Sequence, residues 1–135
     1  MANGLGGSVE KSCGAIVFNN DRVLLVKHRG GHYGFPKGHM EKNETEIETA
    51  IREVKEETNI DIIIDKDKRI VTSYMMPNGI LKEVVYFIAK NKNEETISQE
   101  GEIKEVIWID YTRVKEFIPF DNMHELLKEV DRMKK

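Results

Sequence analysis

Three glutamates in the middle of the chain are spaced for joint chemistry. Glu53, Glu56 and Glu57 stand three and four residues apart, and on an α-helix these separations make side chains neighbours. Two carboxylates about 5 Å apart repel by roughly 3 kcal/mol at an effective dielectric constant of about 20. A divalent cation offsets that repulsion, and Mg²⁺ prefers such hard oxygen ligands. The spacing indicates a metal site, with a solvated acidic helix face as the alternative.

The residues around these glutamates favour the metal interpretation. Arg52 precedes Glu56 by four residues, so its guanidinium can offset part of the repulsion. Lys55 is the only lysine inside the predicted helix, and no regular Glu-to-Lys pattern spreads the charge over a solvated face.

The segment just before the helix carries residue types suited to phosphate. In Phe35-Pro36-Lys37-Gly38-His39, Gly38 allows the backbone to come close to a ligand or metal. Lys37 and His39 can meet phosphate oxygens. The alternative is an ordinary turn that carries a surface lysine and a loop histidine.

A helix must position these groups. It is predicted to begin at Asn43 or Glu44 and to run to about Thr58. Apolar residues recur along it at helical spacing, which predicts a buried stripe on one side: Ile47, Ala50, Ile51, Val54 and Thr58.

Apolar and alternating runs predict the rest of the fold. Strands are expected at Ser12–Phe18, Val23–Val26, Ile60–Ile64, Ile70–Met75, Leu81–Ala89 and Ile103–Ile109, and a last helix at Phe120–Met133. Turns are expected at Asn19–Asp21 and Pro77–Gly79, a loop or irregular extended segment at Lys27–His39, and a polar loop at Lys90–Gln99. This order predicts an α/β fold with a mixed sheet between helices.

Composition limits the class of protein. The chain has 135 residues and a formal net charge of −3, which predicts one domain over residues 11–135 behind a flexible Gly-rich tail, residues 1–10. No apolar run or leader suggests a membrane or secreted protein, and nothing indicates a partner of long nucleic acid. Cys13 is the only cysteine, so we expect no intrachain disulfide and a cytoplasmic setting. Monomer and homodimer both remain open.

The central segment resembles the sequence motif of the Nudix hydrolases, the family that includes MutT. The matching segment begins at Gly38, which five residues separate from Glu44. Seven further residues follow Glu44, and then comes Arg52-Glu53-Val54-Lys55-Glu56-Glu57-Thr58-Asn59-Ile60. Only Asn59 departs from the fixed positions of the motif, which has glycine there. Asparagine is the next-best residue for the left-handed backbone that ends a helix, so the departure costs little.

The resemblance implies a Nudix fold, an α/β/α sandwich, and an enzyme that uses a divalent metal to cleave a diphosphate linkage. It implies that Mg²⁺, or alternatively Mn²⁺, is bound by the Gly38 carbonyl and by the carboxylates of Glu53, Glu56, Glu57 and Glu102. Glu100 is the alternative to Glu102, which could also be a plain loop residue. Arg52 would orient the carboxylates and Glu44 would brace the loop. The general base would be Glu56 or Glu53, with Glu102 as a rival.

Further features resemble the diadenosine tetraphosphate hydrolases within this family. The Gly-Phe-Pro-Lys-Gly-His segment is one, and the strand that bears Tyr86 is another. In that group the positions of Tyr86 and Phe120 would hold an adenine ring, and the alternative for both is core packing. Lys82 and Tyr74 are candidates for phosphate contact. The expected reaction yields ATP and AMP.

Other substrates and one other class of function stay open. The chain could instead be a nucleoside triphosphate pyrophosphatase like MutT, an RNA 5′ pyrophosphohydrolase, or a hydrolase of diphosphoinositol phosphates. A non-catalytic Nudix module that senses nucleotides is the alternative outside the enzymes.

Overall fold

The computed structural model describes residues 9–97, 103–118 and 122–134. Its strands are β1 Val9–Asn19, β2 Arg22–His28, β3 Tyr33–Gly34, β4 Lys37–His39, β5 Ile62–Met75, β6 Leu81–Asn91 and β7 Ile103–Asp110. Its helices are α1 Glu46–Thr58, α2 Val114–Phe117 and α3 Asn122–Met133, with a 3-10 turn at Tyr111–Arg113. Residues 1–8 of the predicted tail lie outside the described residues.

The described strands form one mixed sheet. Its order is β3-β2-β1-β6-β5, with β4 paired to β1 and β7 paired to β2. β1 and β6 are parallel, and the other pairs are antiparallel. β1 and β2 form the predicted hairpin, in which Asn20 takes the left-handed backbone that a tight turn needs, at φ 55°.

The helices cover opposite faces of this sheet. Alternating residues of β1 divide between the two faces: Cys13 packs in a cluster with Ala50 of α1, whereas Ile16 packs in a cluster with Leu126 of α3. The predicted α/β fold with a mixed sheet between helices is confirmed. Within the described residues, no helix is long and apolar enough to cross a membrane.

The start of α1 differs from the prediction. The helix begins at Glu46, because Thr45 caps it: the Thr45 hydroxyl accepts from the Glu48 backbone N–H at 3.1 Å, and the Glu48 carboxylate accepts from Thr45 N–H at 2.9 Å. The helix ends as expected at Asn59, which is left-handed with φ 69°. The prediction that Ile51 is buried is wrong, since 40% of it is exposed.

Other elements also differ from the sequence prediction. β3 and β4 lie within the segment that was predicted as a loop or irregular extended segment. The strands expected at Ile60–Ile64 and Ile70–Met75 are one continuous strand, β5, with an irregularity in its pairing between Asp65 and Arg69. The polar residues between the two apolar runs fit because β5 lies at an edge of the sheet, where they face solvent. The short helix α2 was not predicted, and four residues are too few to show helical periodicity.

Candidate functional site

Arg52 ties the acidic helix to the loop before it. Its Nε donates to Glu44 Oε2 at 2.6 Å and its Nη2 to Glu44 Oε1 at 3.0 Å. Nη2 also donates to the His39 carbonyl at 3.0 Å. Nη1 donates to Glu53 at 2.9 Å and to Glu56 at 3.1 Å. One guanidinium therefore fixes the orientation of three carboxylates.

Glu44 is the most fully bonded of these carboxylates. Besides Arg52, its Oε1 accepts from the Glu41 backbone N–H and from the Thr49 hydroxyl, both at 2.9 Å. These bonds, above all the one from Arg52, lower the pKa of Glu44 to about 2. Glu44 is thus an anion that holds the loop against α1, which is the geometry expected of a brace.

Glu53 lies directly against the backbone of Gly38. A Cβ atom at Gly38 would stand 2.0 Å from the Glu53 carboxyl carbon, closer than any side chain allows. Burial raises the pKa of Glu53, although the hydrogen bond from Arg52 acts in the opposite direction. The absence of a side chain at position 38 therefore lets a largely buried carboxylate approach β4.

The other two glutamates of the cluster have different surroundings. Glu57 is 6% exposed, and its Oε1 accepts from the Lys37 backbone N–H at 3.2 Å. The side chain of Glu56 is 47% exposed. The sequence predicts the three carboxylates on one arc of the helix. In the structure, Glu53 and Glu57 contact β4, whereas Glu56 is about half exposed to solvent.

The donors in this region suit a hard cation that keeps several water or phosphate ligands. Glu53 and Glu57 contact adjacent residues of β4, Gly38 and Lys37. Across the described ranges no group of three His, Cys, Asp or Glu side chains converges tightly enough to hold a metal unaided. Mg²⁺ is commonly held by only one or two carboxylates, with substrate phosphate and water as its other ligands. The residues present fit that kind of site.

A buried lysine lies beside the same loop. Lys82 is 6% exposed, and its Nζ donates to Ser12 Oγ at 2.7 Å and lies 3.3 Å from His39 Nε2. Burial first, and then the charge of Lys37, lowers the pKa of Lys82, while Glu10 opposes the shift. Among residues 9–97, 103–118 and 122–134, no carboxylate forms an ion pair with this ammonium group.

Two tyrosines that the sequence indicated as candidate site residues differ in accessibility. Tyr86 is 6% exposed, and its ring meets Phe35 edge-on, with centroids 5.8 Å apart and an interplanar angle of 74°. This is the core packing that the sequence left open as an alternative. Tyr74 is 44% exposed and stands directly opposite Lys82 in the pairing of β5 with β6.

The structure brings together most of the predicted site, together with residues that the sequence did not indicate. Lys37 and His39 border β1 through β4, and His39 Nε2 lies 3.2 Å from Glu10. Ser12 was missed, although a hydroxyl in an otherwise apolar strand is a signal that could have found it. Glu102, Glu100 and Phe120 lie outside the described residues.

Comparison with known proteins finds similarity to Nudix proteins in both sequence and structure. A family model described as NUDIX domain matches residues 10–130. The rat asymmetrical bis(5′-nucleosyl)-tetraphosphatase is 28% identical over 88% of this chain and 91% of its own length. The Caenorhabditis elegans enzyme of the same name is 31% identical, over 79% of each chain. A crystal structure of a C. elegans Ap4A hydrolase binary complex superposes with a TM-score of 0.80 at 26% identity, covering 91% of this chain and 96% of that one.

Proposed function

The chain belongs to the Nudix family, and from this premise we propose that it cleaves diadenosine tetraphosphate asymmetrically, to ATP and AMP. It is a Nudix hydrolase, and Nudix enzymes are metal-dependent pyrophosphohydrolases. The likeness to asymmetrical tetraphosphatases extends over most of both chains, which supports the same substrate here.

The observation that carries the proposal is the environment of Lys82. A buried ammonium is costly unless charged or polar groups compensate it. Here its described partners are a neutral hydroxyl and an imidazole, and Lys37 adds a second positive charge nearby. Glu10 opposes this effect but forms no ion pair with Lys82. The oxygens of a phosphate chain would supply a negative charge in direct contact, close to where Gly38 meets Glu53.

The accessible aromatic ring of Tyr74 lies on the strand next to Lys82. We propose that Tyr74 contacts an adenine or the adjoining phosphate, because its ring is accessible and lies opposite Lys82. Stacking a base on an aromatic ring is worth roughly 1–3 kcal/mol. Tyr86 and Phe120 stay predicted contacts, and Tyr86 could reach a base only if its packing against Phe35 opened.

Gly38, Glu53, Glu56 and Glu57 would hold Mg²⁺, or Mn²⁺ in its place, with Glu102 as a further predicted ligand. When bound, the cation would neutralise phosphate charge and acidify a water molecule. Glu56 is our candidate for accepting the proton of the attacking water, because its side chain is the most solvent-accessible of the three helix carboxylates. Glu53 and Glu102 remain the alternatives. Arg52 would hold the orientation of Glu53 and Glu56.

The setting of the reaction follows from the same premise. The substrate is a small nucleotide, as for Nudix hydrolases in general, and we propose a cytoplasmic enzyme. A monomer and a homodimer are both compatible with the site as described.

A substrate panel tests the proposal. The purified protein is incubated with Mg²⁺ and, separately, diadenosine tetraphosphate, 8-oxo-dGTP, ADP-ribose and 5′-triphosphorylated RNA, and the products are identified by chromatography. We expect ATP and AMP from the first compound, faster than any other turnover. Faster release of pyrophosphate from a triphosphate would refute the substrate while leaving the hydrolase class intact. Tight binding of a nucleotide without turnover of any compound would favour a sensing module.

A further inference from the structure

We infer that Ser12 is a positioning residue for the Lys82 ammonium, fixing the direction in which this cation offers its protons to a bound phosphate chain. The inference rests on the proposed function in one respect, namely that Lys82 contacts phosphate. It adds a residue that lies 26 positions before Gly38 in the chain, outside the Nudix motif.

The geometry of β1 and β6 places the hydroxyl at the ammonium. The two strands are parallel, with Ser12 opposite Val84, and Lys82 precedes Val84 by two residues, so its side chain leaves the sheet on the same face. Ser12 is 1% exposed. Its Oγ accepts from Lys82 Nζ at 2.7 Å, a short bond of the kind that a charged donor makes.

The second partner of Lys82 is conditional on the tautomer of a histidine. His39 Nε2 lies 3.3 Å from Lys82 Nζ and also 3.2 Å from Glu10 Oε1. A protonated Nε2 donates to Glu10 and cannot accept from Lys82, whereas a deprotonated Nε2 accepts from Lys82 and loses the bond to Glu10. The side chain of His39 is also 69% exposed. Ser12 is therefore the partner whose bond to Lys82 does not depend on that choice.

A count of protons shows why one fixed bond matters. An ammonium has three protons to donate: Ser12 Oγ takes one and His39 takes at most one. Within the part of the chain that the structure describes, at least one remains for an external acceptor. With the bond to Ser12 in place, the remaining protons lie in defined directions, and without it a flexible lysine side chain loses part of that order.

Binding of a bare phosphate chain tests the inference without a nucleoside. Inorganic tripolyphosphate is titrated calorimetrically into the protein in Mg²⁺. We expect Ser12→Ala to weaken binding about fivefold, and Ser12→Thr, which keeps the hydroxyl, to stay within about twofold. Ser73→Ala is the matched control, since Ser73 is an exposed strand serine on β5 and should bind as the natural chain does. Thermal melts by circular dichroism verify that each variant is folded.

A double-mutant cycle separates positioning from a general structural effect. In the background Lys82→Gln, which should itself weaken binding at least about tenfold, Ser12→Ala should cost less than about twofold more. The same loss in both backgrounds, or no loss in either, would overturn the inference. If Lys82→Gln binds tripolyphosphate normally, the phosphate contact fails and the inference fails with it. If the cycle behaves as expected but diadenosine tetraphosphate is not cleaved, only the proposed substrate is refuted.

Discussion

The carboxylate cluster around Arg52 and the group around Lys82 carry opposite charges: the first is mainly negative and the second is mainly positive. In the first, several anions share a single guanidinium that donates to Glu44, Glu53 and Glu56. In the second, the close polar contacts of a buried cation are, among the described residues, a hydroxyl and an imidazole. The two groups meet at β4, where Gly38 lies against Glu53 and His39 approaches Lys82.

The difference shows what each group still lacks. The acidic side keeps excess negative charge after Arg52 is counted, which a divalent cation would offset. On the basic side, no described carboxylate forms an ion pair with the Lys82 ammonium, although Glu10 acts on it from farther away. Phosphate would supply an anion in direct contact. A metal–phosphate complex seated across β4 would compensate both at once, and each prediction below alters one side.

The largest expected effect comes from the proposed proton acceptor. Glu56→Gln removes the carboxylate charge but keeps the size of the side chain, and it should lower kcat at least about a hundredfold. The fold should persist because the Glu56 side chain is about half exposed and the amide of glutamine keeps its size. Steady-state kinetics with a thermal melt measure both quantities. Glu125→Gln, at an exposed glutamate of α3, is the matched control, and a near-normal rate for Glu56→Gln would remove Glu56 as the base.

Substitutions at Gly38, in β4, and at Gly14, in the paired strand β1, should separate effects on activity from effects on stability. In Gly38→Ala the new methyl group meets the end of the flexible Glu53 side chain, which can move aside. The rate should therefore fall about tenfold or more, with a stability loss of only about 1 kcal/mol.

Gly14→Ala is the counterpart. There a Cβ would stand 2.1 Å from the Pro36 carbonyl oxygen and 2.8 Å from Lys37 Cα, and backbone cannot yield as a side chain does. Denaturant unfolding should show a loss of about 3 kcal/mol. A stability loss for Gly38→Ala as large as that for Gly14→Ala would show that the Glu53 side chain cannot move aside as expected.

Arg52 is expected to contribute more to thermal stability when no divalent metal is bound. Arg52→Met leaves Glu44, Glu53 and Glu56 without their shared cation, so the melting temperature in chelator should fall by roughly 5 °C. Added Mg²⁺ should recover part of that loss, because the ion supplies the charge that Arg52 provided. An identical loss with and without Mg²⁺ would contradict the idea that cation and guanidinium compensate the same carboxylates.

The smallest expected effect concerns a carboxylate of α1 that serves only the fold. Glu46 accepts from Arg69 at 2.8 Å and pairs with Lys11, and chiefly the bonds from Arg69 lower its pKa to about 2. Because the pKa of Glu46 is lower in the folded state, its ion pairs stabilise the fold at pH values above its usual pKa of 4.5. That contribution disappears as the pH falls towards 2.

Arg69→Gln should therefore cost about 1 kcal/mol at neutral pH and progressively less between pH 4.5 and 2. Urea unfolding at several pH values measures the difference between the natural chain and the variant. A difference that stays constant with pH would show that the pairing does not set the titration of Glu46.

The motif and its helix could be predicted from sequence because their evidence is local. The spacing of Gly38, Glu44 and Arg52 is explicit in the chain, and Asn59 signals the helix end. The burial of Glu57 could not be predicted, because it depends on β4 folding back against α1. Periodicity treats a helix as having one buried side, whereas α1 is covered both by the sheet and by its own preceding loop.

The partners of Lys82 could not be predicted either, because they are far from it in the sequence. Ser12 and Lys82 are 70 residues apart and meet only through the parallel pairing of β1 with β6. The burial of Tyr86 likewise depends on Phe35, which lies between β3 and β4. Sequence pattern marks such residues as strand members, but only the register decides which side chains touch.

The most direct test of the account is the metal dependence and product pattern of diadenosine tetraphosphate cleavage. The protein is incubated with this compound in chelator and then in excess Mg²⁺, and the nucleotides are separated and quantified. The account predicts no turnover in chelator, and ATP and AMP in equal amounts once Mg²⁺ is present. Two molecules of ADP per substrate, or turnover at the same rate in chelator, would contradict it.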